Sequence, residues 1–336
     1  MIVISNIYHM LAYAFRSLNV GDTSHMGNED FENLNELFAE IICRGMRKQV
    51  KRGLPHGYVR QSENLANLRG KIDIQCSVSE MTMTKHQLVC EFDDFSVNTP
   101  SNRLIKCAIS QLLQKNDVSL TRKQCLKFLR SSLNNVDDVR YIRIPHQRKG
   151  SAEYTMLVNI CQFMLDGMLM HTGGGYVMRE WLSDEAMSSL YERFLLEYYK
   201  RHYPLLKARK SRISWDMTSF SPHMPKMESD VYLTFGGKTL IIDAKFYSRT
   251  MTEYFGKKTY HSQNLYQIYT YVKNADKMKD GSVEGMLLYA RTDEDVTPDN
   301  EGIIIGGNIF SVKTLDLSQN FIAIRSQLDK VAARLA

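Results

Sequence analysis

The chain has 336 residues, of which 43% are hydrophobic and 24% are charged, a composition typical of a soluble globular protein with room for two domains. Its most apolar helical segment, residues 154–170, is too short and too often interrupted by polar residues to cross a bilayer. The amino terminus has no basic stretch followed by a long apolar run, so we expect a cytoplasmic protein. The six cysteines are too far apart for a zinc knuckle or a redox pair.

The net charge of +6 lies entirely in the first part of the chain. Residues 1–150 hold 21 Lys and Arg against 15 Asp and Glu, whereas residues 151–336 hold 22 of each kind. This surplus could face nucleic acid or an acidic partner. A surplus of this size is also typical of a solvated surface, so the charge alone does not decide between the two.

The first part of the chain predicts helices on either side of a strand-rich segment. A loop is predicted at residues 19–30, and residues 58–95 predict short strands, near 71–74 and 88–92, joined by loops. The polar stretch at 145–151 is interpreted as a domain boundary. Apolar residues recur at helical spacing in residues 7–18, 31–50, 104–113 and 121–133.

The second part predicts an α/β arrangement with a mixed sheet. A helix ends at the glycines of residues 173–175, and a second helix begins at Ser183 as its N-cap. Strands at 229–235 and 239–247 flank Gly236-Gly237, whose turn chemistry predicts a hairpin. A helix, three strands and a final helix are predicted at residues 262–273, 285–290, 302–305, 308–312 and 318–334.

Two aspartates and a lysine lie on this hairpin. Because side chains alternate along a strand, Asp243 and Lys245 point to one face, and the hairpin can bring Asp230 close to Asp243. Adjacent carboxylates repel each other unless a cation binds between them, and oxygen ligands suit a divalent ion. Lys245 could hold or deprotonate a water, or stabilise charge on a phosphate. The set therefore predicts metal-dependent phosphodiester hydrolysis.

A surface ion-pair cluster of the same three residues is the alternative interpretation. Against it, Asp243 interrupts the apolar run Leu-Ile-Ile-Asp-Ala-Lys-Phe-Tyr, and a charge in a buried strand needs a partner or a metal. A D-x-K spacing occurs often by chance, so the spacing alone leaves both interpretations open.

The wider pattern resembles the PD-(D/E)xK nuclease superfamily. Asp230 lies thirteen residues before the Asp-Ala-Lys of residues 243–245, a separation that fits the superfamily motif. Glu192 resembles the upstream helical acid of the superfamily, and residues 267–271 resemble its Q-x-x-x-Y helix. The proline that names the motif is displaced, because Pro225 is not adjacent to Asp230.

This resemblance implies a restriction-endonuclease-like domain with a mixed central sheet flanked by helices. It also implies Mg²⁺ or Mn²⁺ held by Asp230, Asp243 and the backbone carbonyl of Ala244. The catalytic set that it implies consists of Asp230, Asp243, Lys245, Glu192 and Gln267.

A narrower resemblance spans nearly the whole chain. Segments 6–14, 68–73, 102–106, 225–230, 242–247 and 261–267 are similar to the McrC family, the nuclease subunits of McrBC modification-dependent restriction systems. The resemblance implies a hexameric AAA+ GTPase partner that binds the GTP, and methylated double-stranded DNA as substrate. The chain has no phosphate-binding loop of its own, because the fragment at residues 236–239 lacks the first glycine of G-x-x-x-x-G-K-[ST].

The resemblance assigns residues 1–150, a mixed helix and strand domain, to docking on the GTPase ring, and residues 151–336 to the nuclease. The predicted docking element is the basic segment 58–74, and an ordinary solvated hairpin is the alternative there. Two other functions stay open: a non-catalytic activator of the GTPase, and a stand-alone nuclease acting in DNA repair. The docking residues proposed are Arg60, Arg69, Lys71 and Asp73.

Overall fold

The fold divides into two compact units, and the larger unit contains residues from both ends of the chain. A computed structural model describes residues 4–15, 31–144, 151–169, 184–219, 221–246, 251–254, 257–291 and 298–335. One unit comprises residues 33–166, and the other comprises residues 1–32 and 167–336. None of the described helices combines the length and the apolarity that crossing a membrane requires.

The predicted division placed one boundary at residue 150. The structure instead assigns residues 151–166 to the smaller unit and the first helix to the larger one. In that helix, α1 (Ile4–Ala14), the Asn6 side chain donates to the carbonyls of Leu317 and Gln319 at 2.9 and 2.7 Å. Its His9 ring stacks on Phe321, with 4.1 Å between the ring centres. The predictions for residues 19–30, 145–150, 173–175 and Ser183 lie outside the described residues.

The unit of residues 33–166 combines helices with a small antiparallel sheet, most of whose residues are exposed or half-buried. Asn33 caps its first helix by accepting the backbone N–H of Glu36, and Thr99 caps a later one by accepting that of Asn102. The strands lie in the order β1-β3-β2. The elements are α2 (Leu34–Arg52), β1 (Gly57–Leu65), β2 (Lys71–Asp73), α3 (Ile74–Ser79), β3 (Leu88–Ser96), α4 (Pro100–Leu113), α5 (Leu120–Ser131) and α6 (Ala152–Leu169).

The larger unit is built on a mixed six-stranded sheet, which confirms the predicted α/β class. The strand order is β10-β11-β9-β6-β5-β4, in which β9 runs parallel to both β6 and β11. Its elements are α7 (Asp184–His202), β4 (Arg209–Ile213), β5 (Met227–Phe235), β6 (Lys238–Lys245), β7 (Met251–Tyr254), β8 (Lys257–Tyr260), α8 (Ser262–Ala275), β9 (Val283–Ala290), β10 (Asn300–Ile305), β11 (Asn308–Leu315) and α9 (Phe321–Ala332).

The predicted hairpin is confirmed as β5 and β6. Gly236 and Gly237 at its turn have φ values of +57° and +83°, which glycine adopts without steric cost. The fragment at residues 236–239 is therefore a hairpin turn and not part of a phosphate-binding loop. Neither β4 nor the β7–β8 ribbon was predicted.

Helix α8 lies close against one face of the sheet. Its Ile268 and Val272 pack in a buried cluster with Ile241 and Leu287 of the central strands. At Gly285 of β9, a Cβ atom would lie 2.7 Å from Val272 and 2.9 Å from Ile268. The missing side chain therefore sets how closely the helix approaches the sheet.

We expect Gly285→Ala to lower the free energy of unfolding by about 1–3 kcal/mol, because the new methyl group overpacks the contact with α8. The matched control is Gly302→Ala, since no atom lies within 4 Å of a Cβ at that position. Urea unfolding followed by circular dichroism measures both. Equal stability of the two variants would contradict close packing at Gly285.

Candidate active site

The site begins where the β5–β6 hairpin separates. The register between these strands runs from Phe235 opposite Lys238 to Val231 opposite Ile242, and ends there. One step further, the backbone N–H of Ala244 donates to the Asp230 carboxylate at 2.9 Å. The side chain of Asp230 thus bonds a strand amide beyond the end of the ladder, and this bond fixes the carboxylate beside β6.

Lys245 is held between Asp243 and the helix above the sheet. Its Nζ lies 2.7 Å from Oδ2 of Asp243 and donates to Oε1 of Gln267 at 3.0 Å. Gln267 in turn donates to the hydroxyl of Tyr271 at 2.9 Å. The side chain of Asp243 is 2% exposed and that of Lys245 13%, so the alternative of a surface ion pair is wrong.

Several carboxylates lie close together in this site, where burial disfavours their negative charge. Burial, followed by the charges of Glu192 and Asp243, raises the pKa of Asp230 to about 7. Burial also raises the pKa of Asp243, although the Lys245 ammonium opposes this effect. Glu192 contributes from α7, which packs against β5 and β6. The structure thus brings together Glu192, Asp230, Asp243, Lys245 and Gln267, and their catalytic role stays a prediction.

The donor set fits a divalent cation bound by oxygen. The Asp243 carboxylate is buried and its Oδ2 contacts the Lys245 ammonium at 2.7 Å, yet burial still raises its pKa. Burial, with the charges of Glu192 and Asp243 adding to it, likewise raises the pKa of Asp230. Among the described residues, no three His, Cys, Asp or Glu side chains form a metal cluster. Two carboxylates and the predicted Ala244 carbonyl still suit Mg²⁺, because this ion keeps several of its waters.

The residues predicted for docking lie in the other unit, on the small sheet. Arg60 and Arg69 each form an ion pair with a carboxylate of β3, and Lys71 is exposed. Asp73 accepts the backbone N–H of Cys76 at 2.9 Å and caps α3, so its carboxylate has a structural role. Docking by these residues stays a prediction.

Sequence reasoning missed one charged residue of the site. Lys210, on β4, lies 3.4 Å from Oε2 of Glu192, and its charge lowers the pKa of Asp230. The segment Arg-Lys-Ser-Arg-Ile of β4 shows little of the apolar alternation that marks a strand. The sequence feature that could have indicated Lys210 is its position in a basic segment that precedes the hairpin.

Comparisons with known proteins agree on one family. Residues 5–290 match the family model described as McrBC 5-methylcytosine restriction system component. The chain is 25% identical over 337 residues to the Type IV methyl-directed restriction enzyme EcoKMcrBC of Escherichia coli K12, covering 97% of this chain and 96% of that protein.

In structure, the chain is similar to a chain of the half-complex from the tetradecameric assembly of Thermococcus gammatolerans McrB AAA+ hexamers with bound McrC. The TM-score is 0.51 at 15% identity, over 98% of this chain and 75% of that one. At this identity, the similarity bears on the fold alone.

The raised pKa of Asp230 predicts how stability depends on pH in the absence of metal. The folded chain keeps a proton on Asp230 up to about pH 7, whereas the unfolded chain releases it above about pH 4. The free energy of unfolding should therefore fall as pH rises between these values. Asp230→Asn, whose amide oxygen can still accept the Ala244 N–H, should raise stability at about pH 7.5 by ~1–3 kcal/mol.

Urea unfolding in EDTA, at about pH 5 and about pH 7.5, measures this effect. Glu228→Gln is the matched control, because Glu228 is an exposed carboxylate on the same strand. An unchanged dependence on pH in Asp230→Asn would show that Asp230 is not the group responsible.

Proposed function

The chain belongs to the McrBC family of 5-methylcytosine restriction system components, and we propose that it is the subunit that hydrolyses DNA phosphodiester bonds, with Asp230, Asp243 and Lys245 as its active site. The observation that carries the proposal is the burial of the Asp243 carboxylate beside Asp230 and Glu192: burial raises the pKa of Asp243 even though the Lys245 ammonium lies 2.7 Å from its Oδ2. Carboxylates gathered in such a poorly solvated site favour a bound cation.

The residues of the site have separate tasks in hydrolysis. A divalent metal bound there would polarise the phosphate and supply a nucleophilic water near neutral pH. Asp230 and Asp243 would hold this metal, together with the carbonyl of Ala244. Because the Ala244 N–H fixes the Asp230 carboxylate, these ligands are partly positioned before any metal arrives.

Lys245 acts next to these ligands without binding metal. Its ammonium group contacts Asp243 and Gln267, and these contacts hold it beside the carboxylates. From there it stabilises the negative charge that develops on the phosphate, or orients the attacking water. Gln267 and Tyr271 are positioning residues in this scheme, since they restrain Lys245 through hydrogen bonds.

The partner we propose is an AAA+ GTPase ring. The relative of similar fold was solved with McrB AAA+ hexamers, and the relative similar in sequence is a methyl-directed restriction enzyme. We propose that the partner binds GTP and that the substrate is methylated double-stranded DNA. The small unit offers exposed basic residues on its sheet, among them Arg60 and Lys71, for the contact with the ring.

Asp243→Asn should reduce cleavage of methylated plasmid at least a hundredfold, because the substitution removes a metal ligand that no neighbour can replace. The assay contains the full chain, the partner GTPase, GTP and Mg²⁺. Exposed Glu228→Gln is the control and should cleave like the wild type. GTP turnover without cleavage by the wild type would favour the non-catalytic activator, and cleavage without the partner would favour the stand-alone nuclease.

The proposed docking role predicts that substitutions on the small sheet affect stimulation of the partner GTPase but leave metal binding unchanged. Arg60→Ala combined with Lys71→Ala should lower stimulation of the partner GTPase about tenfold or more, by analogy with charged residues supplied in trans. Stabilisation of the full chain by Mn²⁺ should be unchanged, since the metal site lies in the other unit. Exposed Lys127→Ala, on α5, is the control. Normal stimulation by the double variant would move the docking element elsewhere.

A further inference from the structure

An irregularity between β4 and β5 faces the active site. Arg209 lies opposite Tyr232, and Ser211 lies opposite Ser229, so the single residue Lys210 faces both Asp230 and Val231. Such β-bulges commonly redirect side chains next to active sites. Here the extra residue of β5 lies at Asp230 itself, and Lys210 is its cross-strand neighbour.

Lys210 differs from Lys245 in how firmly it is held. The side chain of Lys210 is 40% exposed, compared with 13% for Lys245. Its contact with Glu192 is long, at 3.4 Å, and a half-exposed pair at this distance stabilises little. Lys210 can therefore exchange Glu192 for a stronger anionic partner at low cost, whereas Lys245 remains fixed beside Asp243.

We propose that Lys210 binds a phosphate of the DNA strand that enters the active site, exchanging Glu192 for that phosphate. The inference rests on the nuclease function proposed above. In the free chain Lys210 partly neutralises Glu192 and Asp230; in the DNA complex it contacts the backbone, and Glu192 is released toward the metal. Lys210 thereby couples DNA binding to the availability of the third carboxylate.

The position of β4 provides room for this contact. β4 is an end strand of the sheet, so no strand of the described part of the chain covers one of its sides. Arg212 lies two residues beyond Lys210 and is exposed, which places both cations on the same face of the strand. Two exposed cations at this spacing suit successive contacts with a phosphodiester backbone, which bind without reading sequence.

The first test measures cleavage by the full chain with its GTPase partner, under single turnover and across about 50 to 200 mM salt. Lys210→Ala should raise the half-saturating concentration about tenfold, and it should reduce the dependence on salt by about one phosphate contact. Lys210→Arg should retain both values. Lys238→Ala is the matched control, because Lys238 is exposed on the same sheet beside the hairpin turn.

The second test measures Mn²⁺ binding to the full chain without DNA. Removing the positive charge of Lys210 should increase Mn²⁺ affinity several-fold, whereas Asp243→Asn should abolish binding. A decrease in Mn²⁺ affinity for Lys210→Ala would show that Lys210 only positions Glu192, and it would overturn the proposal.

An unchanged half-saturating concentration, or an equal effect of Lys238→Ala, would overturn the role of Lys210 alone and leave the nuclease function intact. Absence of cleavage by the wild type would overturn both.

Discussion

Burial of carboxylates in the central sheet is the constraint on which the candidate site of the larger unit depends. Asp230 and Asp243 each lie where burial disfavours their charge, and Glu192 adds a third negative group. The chain offsets this with one backbone N–H on Asp230 and one ammonium on Asp243. These contacts do not neutralise the site completely, so its remaining charge favours a cation. Stability of the free chain and affinity for metal therefore oppose each other at these positions.

Such a site needs a rigid frame, because the unneutralised carboxylates would otherwise separate. The central strands β6 and β9 are buried on both faces, and α8 is drawn against them at Gly285. The same close approach brings Gln267 within hydrogen-bonding distance of Lys245. Packing of α8 around Gly285 thus contributes to the position of Lys245, through Gln267. The energetics of the core and the geometry of the site are consequently linked through one helix.

Short-range sequence patterns predict much of the hairpin and of the arrangement of its charged side chains. The two glycines define the hairpin, and strand alternation places Asp243 and Lys245 on one face. Contacts between distant segments were not predictable in this way. Asn6 bonds carbonyls more than three hundred residues away, which moves α1 into the larger unit. Lys210 reaches the site through a bulged register with β5, and no periodicity in the sequence reveals such a register.

The distribution of charge fits the division of labour proposed for this family member. Residues 151–336 hold equal numbers of basic and acidic residues, so this part of the chain generates little long-range attraction for DNA. A nuclease of this kind depends on a few well-placed cations at its active site and on delivery of DNA by another component. The side chain of Lys245 is 13% exposed and is paired with Asp243, whereas that of Lys210 is 40% exposed and weakly paired. In the proposed function, weak intrinsic affinity combined with a charged site that needs a metal would restrict cutting to DNA that the partner presents.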